Sequence, residues 1–168
     1  MVPPMDSVDL HILSILQHDA ATPLAAIAEA VSLSPTPCWR RIHKMETAGI
    51  ITARVALLDP DLLGLALTVF VELESPSHSA DWFDSFDRAI DRHDEIVEVY
   101  RMAGDIDYML KVVVPSMADF DRFYRELIAA VPLKNVTSRF CMERIRQRTQ
   151  LPLALIADRP DIRPRGRR

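Results

Sequence analysis

Two proline-containing helix starts divide the first third of the chain into short helices. Thr22-Pro23 and Ser34-Pro35 each place a capping side chain before a proline, which is favoured at the first position of a helix. Asp6 is a third capping residue, and apolar residues recur at helical spacing after each start. Because only Ser32 and Leu33 join the second helix to the third, the sequence predicts a tight helix-turn-helix.

The stretch after the third helix is predicted to be β-structure. Gly49 is a typical C-terminal stop for that helix. The β-branched residues between positions 51 and 57 indicate a strand pair, or wing. Three helices followed by a small β element is the order of a winged helix-turn-helix domain, which we assign to residues 6–56.

The third helix is predicted to have one buried and one polar face. Cys38, Ile42 and Met45 fall on a single stripe at 100° per residue and should face the other helices. The opposite side carries cations and hydroxyl groups, which suit the phosphates and base edges of a DNA major groove. A charged helix face by itself is more typical of a solvated surface. Its combination with two preceding short helices and a wing favours DNA binding, and the pattern leaves both interpretations open. The predicted DNA contacts are Ser34, Thr36, Pro37, Arg40, Arg41, His43, Lys44 and Arg54.

Trp39 lies between these two faces of the third helix. An indole at such a boundary is expected to pack against the neighbouring wing rather than to stack on a base. Neither this tryptophan nor the buried Cys38 is therefore predicted to have a functional role.

Beyond residue 64 the periodicity predicts alternating strands and helices. Helices are expected at 79–92 and after Pro115-Ser116. Strands are expected at Leu65–Leu73, Glu95–Ala103, Ile106–Val114 and Asn135–Arg148. This βαββαβ order is the ferredoxin-like pattern, with both helices on one face of the sheet. The predicted fold class is α+β, a winged helix-turn-helix joined to a ferredoxin-like domain at residues 65–152.

The second face of the predicted sheet is unusually apolar for a soluble monomer. Its phase is expected to carry Phe70, Tyr100, Met102, Phe140 and Met142. Because so large an apolar surface rarely stays in contact with water, we expect a partner subunit to cover it.

The net charge of −4 conceals an uneven distribution along the chain. Residues 1–56 hold 4 basic and 5 acidic residues, and residues 57–138 hold 7 basic and 16 acidic ones. Residues 139–168 hold 9 basic and 3 acidic residues. The acidic total therefore does not exclude nucleic-acid binding, because the cations of the first domain cluster on one helix.

The remaining segments and the composition set further limits. Residues 57–64 are predicted to be a linker, and residues 153–168 a disordered basic tail that either attracts phosphates or only improves solubility. No apolar run approaches the length of a membrane span, and no signal peptide is evident. Together with only two cysteines, these features predict a cytoplasmic protein without a membrane partner.

Several motifs together resemble the Lrp/AsnC family of bacterial and archaeal transcription regulators. The family's recognition helix is similar to residues 33–42 (LSPTPCWRRI), its opening helix to residues 6–13, and its wing and linker to residues 55–60. Residues 104–108 (GDIDY), with Lys111 and Pro115, resemble the signature turn of its amino-acid-sensing domain. The resemblance spans residues 6–152. It implies double-stranded DNA with pseudo-palindromic sites as the target, a homodimer that assembles further to a tetramer or octamer, and an amino-acid effector.

The same resemblance implies where the effector binds. The turn contributes Gly104, Asp105, Asp107 and Tyr108, with Asp105 expected to pair with the effector's ammonium group. Ordinary turn chemistry also explains an aspartate after a glycine. The last strand is implied to add Ser138, Arg139 and Phe140. Arg139, Phe140 and Cys141 depart from the leucine-responsive members. Residues 136–140 and 149–152 are instead similar to a branch that includes a cysteine-responsive regulator, which makes a sulfur amino acid one candidate.

An enzyme and an architectural DNA-binding protein are the two other classes of function to compare with a regulator. An enzyme is not expected, because the sequence has neither metal-ligand spacing nor a glycine-rich phosphate loop, and no cofactor or metal is predicted. An architectural DNA-compacting protein with little effector dependence is the alternative, since a basic tail and oligomerisation would suit it.

Overall fold

The computed structural model describes residues 4–157, which form two compact units. Within this range the first unit contains residues 4–57 together with 146–157, and the second contains Leu58–Ile145. Residues 146–152, expected in the sensing domain, therefore group with the N-terminal residues. The expected disorder of the basic tail falls largely on residues 158–168, which lie outside the described part of the chain.

Three helices make up most of the first unit, as predicted. They are α1 (Ser7–His18), α2 (Leu24–Ala30) and α3 (Pro35–Thr47). Asp6 caps α1 through a reciprocal capping box with Asp9, which satisfies backbone N–H groups at the start of the helix. Pro35 is at the start of α3 as expected, whereas Pro23 is the residue before α2 rather than its first helical position.

The turn between α2 and α3 is tight because one residue adopts a left-handed conformation. Ser32 has a φ of 55°, and the N–H of Leu33 donates to the carbonyl of Ala28 at 2.9 Å. The helices then enclose a small apolar core formed by Ile12, Leu16, Ile27, Ala28, Val31, Cys38, Ile42 and Met45. The predicted inward stripe of α3 is therefore confirmed.

The predicted wing at residues 51–57 is wrong as a β element in this chain. No strand lies in that stretch, and both Val55 and Leu57 are exposed. The N–H groups of Ile50 and Ile51 instead donate to the carbonyl of Met45 at the end of α3. β-branched composition favours a strand only where a second strand pairs with it, and no such partner lies among residues 4–157.

The second unit has the predicted ferredoxin-like βαββαβ order. Its elements are β1 (Leu67–Glu74), α4 (Ala80–Ile90), β2 (Ile96–Arg101), β3 (Tyr108–Val114), α5 (Met117–Ala130) and β4 (Asn135–Phe140). The strands form one antiparallel sheet in the order β2-β3-β1-β4. Both helices begin at a serine cap, Ser79 for α4 and Ser116 for α5.

Alternate residues of the two central strands form the core of this unit beneath the helices. Val69, Val71 and Leu73 of β1, with Leu110 and Val112 of β3, have no accessible surface. Aromatic side chains of α4 and α5 close the core, and the indole N–H of Trp82 donates to the carbonyl of Pro132 at 2.7 Å. The helices therefore cover one sheet face, as predicted.

The last strand, β4, is shorter than predicted because β1, the strand that it pairs with, does not extend beyond Leu67. Phe140 pairs with Val69, and the N–H of Cys141 donates to the carbonyl of Thr68 at 2.9 Å. Since β1 begins at Leu67, no strand remains to pair with residues 142–148, and the expected strand to Arg148 is wrong beyond Phe140. Leu153–Leu155 instead form a short 3₁₀ helix where a disordered tail was expected to begin.

The sheet face predicted for the Phe140 side chain is also wrong. Paired residues of neighbouring strands point to the same face, and its partner Val69 lies in the core beneath the helices. The Phe140 ring accordingly packs edge-on against Phe120 of α5, with ring centroids 5.2 Å apart. Phe70 and Tyr100 do lie on the face away from the helices, as predicted. There Phe70 pairs with Lys111 of β3 and Tyr100 pairs with Met109 of β3.

Candidate functional sites

The exposed side of α3 presents two cations that no acidic side chain engages. Arg40 and Lys44 are exposed, one helical turn apart, and form no ion pair within residues 4–157. Thr36 and His43 are exposed on the same side. Cations without partners retain their full attraction for phosphates, so this face can bind a polyanion.

Arg41 is committed to the scaffold of the first unit instead. Its Nη1 donates to Asp6 Oδ2 at 2.8 Å and to Asp9 Oδ1 at 2.7 Å, which ties α3 to the start of α1. The N–H of Asp9 and, less strongly, the Arg41 guanidinium lower the pKa of Asp6. The same two carboxylates raise the pKa of Arg41. The guanidinium of Arg41, which was predicted to contact DNA, is thus engaged in ion pairs within the protein.

The other predicted DNA contacts differ in whether their side chains already have partners within the described chain. Arg54 Nη2 donates to Glu46 Oε1 at 2.8 Å, so its charge is partly neutralised. Ser34 and Pro37 are exposed at the first turn of α3, and the Ser34 side chain makes no capping hydrogen bond. The N-terminal turn of the helix and its hydroxyl groups therefore remain open to a ligand.

Trp39 does not pack against a wing, contrary to expectation. Its side chain is 52% exposed and stacks on His43, with ring centroids 5.0 Å apart and planes 6° apart. The sequence did contain a signal for this stack, because Trp39 and His43 are four positions apart and residues at that spacing meet on one helix face.

In the second unit, the turn that joins β2 to β3 has a special backbone. Gly104 has a φ of 128°, a conformation that L side chains rarely adopt. The N–H of Met102 donates to the carbonyl of Asp107 at 2.8 Å and closes the turn. Gly104 and Asp105 are exposed at its tip.

The two carboxylates of this turn have different environments. Asp107 Oδ2 accepts from both the N–H and the hydroxyl of Ser75, at 2.7 and 3.0 Å. These bonds lower the pKa of Asp107, and His78 lies 3.6 Å from its other oxygen. Asp105 has no hydrogen-bond or ion-pair partner within residues 4–157. Only Asp105 is thus free to bind a cationic group.

Tyr108, also predicted to touch the effector, belongs to the core. It is 5% exposed and packs against Trp82, Phe83 and Phe86. Burial raises the pKa of its phenol, and its hydroxyl has no partner within the described residues.

The three predicted residues of β4 do not converge on one site. Ser138 and Phe140 line an open groove of about 640 Å³ beside α5, whereas Arg139 points to the other face of the sheet. There its Nε and Nη2 donate to the two oxygens of Glu72 at 2.6 and 3.0 Å, which lowers the pKa of Glu72.

The sheet order also separates the turn from these β4 residues. β1 lies between β3 and β4, and adjacent strands are roughly 4.8 Å apart. The turn adjoins the end of β1 at Leu73, whereas Phe140 pairs with Val69 towards its start. Within one chain the two halves of the predicted effector site therefore do not share a pocket.

The described part of the chain has neither a cluster of metal-ligating side chains nor a helix that could span a membrane. Residues 4–157 contain no group of three or more potential metal-ligating side chains of histidine, cysteine, aspartate or glutamate. No helix in this range is long and apolar enough to span a membrane.

Comparison with known families matches both halves of the chain. The AsnC-type helix-turn-helix domain matches residues 5–46, and the Lrp/AsnC ligand binding domain matches residues 68–151. The chain belongs to the Lrp/AsnC family. It is a DNA-binding transcriptional regulator with a ligand-binding domain, not an enzyme. The predicted family is confirmed, and so is the fold class of a helix-turn-helix domain joined to a ferredoxin-like domain, although without the β wing.

Curated relatives of this Lrp/AsnC regulator match over nearly their whole length. The glutamate uptake regulatory protein of Zymomonas mobilis is 43% identical over 161 residues, covering 96% of this chain and 98% of the relative. The DNA-binding transcriptional activator DecR of Escherichia coli is 43% identical over 150 residues, covering 89% of this chain and 99% of the relative.

Solved structures show the same architecture as this Lrp/AsnC regulator. An AsnC family transcriptional regulator from Agrobacterium tumefaciens is 48% identical with a TM-score of 0.85, covering 90% of this chain and 99% of that one. A transcriptional regulator from Neisseria meningitidis, solved as a complex with L-Met, is 29% identical. Its TM-score is also 0.85, with the same coverage of the two chains.

Proposed function

We propose that this regulator reads double-stranded DNA with the exposed face of α3 placed in the major groove. The observation that carries the proposal is the pair of uncommitted cations, Arg40 and Lys44, opposite the buried stripe of the helix. Ser34, Thr36, Pro37 and His43 complete the contact surface. Arg41 acts as a positioning residue through Asp6 and Asp9.

The proposed assembly is a cytoplasmic homodimer that forms tetramers or octamers and binds pseudo-palindromic sites. Its support is a pair of aromatic side chains on the sheet face opposite α4 and α5. Tyr100 of β2 is exposed on that face, and Phe70 of β1 is half-buried there. A dimer doubles the number of cationic helices and matches the two-fold symmetry of such sites.

The proposed effector is an amino acid whose ammonium group pairs with Asp105. Support comes from the free carboxylate at the tip of the turn and from the L-Met complex of the Neisseria regulator. Methionine and cysteine are candidates because the last strand resembles the branch with a cysteine-responsive member. Glutamate is a candidate because the Zymomonas relative is named a glutamate uptake regulator.

The DNA proposal is tested by salt-dependent binding of Arg40→Ala and Lys44→Ala variants. Each loses a phosphate-attracting cation, so affinity should fall and the slope of log K against log salt should flatten by about 0.9 per contact. Arg92→Ala removes an exposed cation from the second unit and serves as the matched control. Unchanged affinity in both α3 variants would exclude this face from the DNA contact.

The effector proposal is tested by thermal shift with each of the twenty amino acids. A ligand that binds the native state raises the melting temperature, and Asp105→Asn should remove that rise. Asp84→Asn, which neutralises an exposed carboxylate of α4, should retain it. No shift with any amino acid would rule out this effector class, and a retained shift in Asp105→Asn would rule out this residue.

A further inference from the structure

An indole lies exposed on the helix face that carries the free cations. Thr36, Trp39, Arg40 and His43 follow the i, i+3, i+4, i+7 spacing that places side chains on one helix face. All four are exposed, and Trp39 exposes 52% of its surface. The DNA-reading face therefore contains a large apolar group among its polar ones.

The core of the first unit does not need this indole. Cys38, Ile42 and Met45 already fill the inward stripe of α3, each with at most 5% exposure. A half-exposed tryptophan leaves a substantial apolar area in water, which burial against a ligand would recover.

Stacking holds the Trp39 ring in one orientation. The Trp39 and His43 rings are nearly parallel, with planes 6° apart and centroids 5.0 Å apart, so the imidazole covers one face of the indole and leaves the rest of it exposed. A side chain that is already held in place by such a stack loses less side-chain entropy when it binds a ligand.

We propose that Trp39 is a specificity-determining residue that contacts thymine methyl groups in the major groove. The thymine methyl is the apolar feature that the major groove presents at base-pair edges, and an aromatic ring is a suitable partner for it. Arg40 and Lys44 hold the helix on the phosphates, while the indole of Trp39, held by its stack on His43, selects for A·T pairs at the positions that it contacts. This inference rests on the proposed placement of α3 in the groove.

The test removes single methyl groups from the DNA. A binding site is first selected from a random duplex library with the full-length protein, and each thymine is then replaced in turn by deoxyuridine. Wild-type protein should lose about fourfold in affinity for each contacted methyl, the value expected for one buried methyl group. Trp39→Ala should bind the parent site more weakly and show no uracil effect at those positions, while Trp39→Phe should retain part of it.

The outcomes separate this inference from the placement of α3. If Arg40→Ala weakens binding but Trp39→Ala shows the wild-type uracil pattern, Trp39 does not read methyl groups and the inference is overturned. If Trp39→Ala weakens all sequences equally, the indole contacts phosphates or a second copy of the chain, and the inference again fails. If Arg40→Ala and Lys44→Ala leave the affinity for DNA unchanged, the proposed placement of α3 in the groove is itself wrong.

Fluorescence gives a second readout that does not depend on a selected site. The chain has two tryptophans, and Trp82 is buried with its N–H bonded to Pro132, so acrylamide should quench mainly Trp39. An A·T-rich duplex should protect Trp39 more strongly than a G·C duplex at equal occupancy. Equal protection by the two duplexes would overturn the inference. The Trp39→Phe variant retains only Trp82, so the difference between its fluorescence and that of the wild type gives the contribution of Trp39.

Discussion

The guanidinium of Arg41 lies 2.7 Å from the carboxylate of Asp9, and this contact joins α3 to α1. The Asp9 side chain is only 10% exposed, so its charge depends on that partner. The same nitrogen of Arg41 also binds Asp6, whose side chain caps α1. The orientation of α3 is therefore set by two carboxylates that precede Arg41 by more than thirty positions.

We expect Arg41→Ala to reduce stability, whereas Arg40→Ala reduces DNA affinity. Removing Arg41 leaves the buried Asp9 carboxylate unpaired, which costs roughly 1–3 kcal/mol in the free energy of unfolding. Arg40 has no such partner in the described chain, so its loss should leave the melting temperature unchanged. Thermal melts and DNA titrations of both variants check this, and equal melting temperatures would contradict it.

The pH dependence of stability should reveal the role of Asp107. Its pKa is lowered in the folded protein by the bonds from Ser75, so it stabilises the fold above the unfolded value of about 3.9. That contribution is lost as pH falls through the lowered folded pKa. Asp107→Asn should be less stable than wild type at pH 7, and the difference should shrink between pH 5 and pH 2.

Urea unfolding at a series of pH values measures this difference. Asp105→Asn is the matched control, because the Asp105 side chain has no partner within residues 4–157. A constant difference between wild type and Asp107→Asn across the pH range would show that the charge of Asp107 is not responsible.

Gly104→Ala should disturb the β2–β3 turn, the proposed effector site, through the backbone alone. An added Cβ meets no atom within 4 Å, but a φ of 128° costs a non-glycine residue of the order of 1–3 kcal/mol. The turn should therefore rearrange and the thermal response to the effector should weaken. Gly64→Ala, strained at a φ of 76° outside the turn, should lower stability without affecting that response.

Gln17→Ala should release the C-terminal segment from α1. The Gln17 side chain donates to the Leu151 carbonyl at 3.1 Å and accepts from the Leu151 N–H at 2.9 Å. Without these two bonds, trypsin should cleave after Arg146 and Arg148 faster than in wild type. Ser14→Ala, an exposed change on the same helix, should leave the rate unaltered, and an unchanged rate in Gln17→Ala would mean that other contacts hold the segment.

Local signals in the sequence predicted the helices of both units well. A helix start depends on residues close together in the sequence, so the starts at Asp6, Ser34-Pro35 and Pro115-Ser116 could be recognised without knowledge of the fold. The glycine and aspartate of the β2–β3 turn were recognisable for the same reason.

Features that depend on distant partners could not be predicted in this way. The end of β4 at Phe140 depends on where β1 begins, and the role of Arg41 depends on Asp6 and Asp9. The helical spacing placed Arg41 at the edge of the polar face of α3, but nothing in the local pattern shows which carboxylates lie beside that edge.

The contact between Gln17 and Leu151 also has a consequence for synthesis of the protein. The two residues are 134 positions apart, so a ribosome adding about 5–20 residues per second makes the second one roughly 7–27 s after the first. Throughout that interval the nascent helices of the first unit lack their C-terminal segment, while the strands and helices of the second unit emerge. The unit that meets DNA begins first and is completed last.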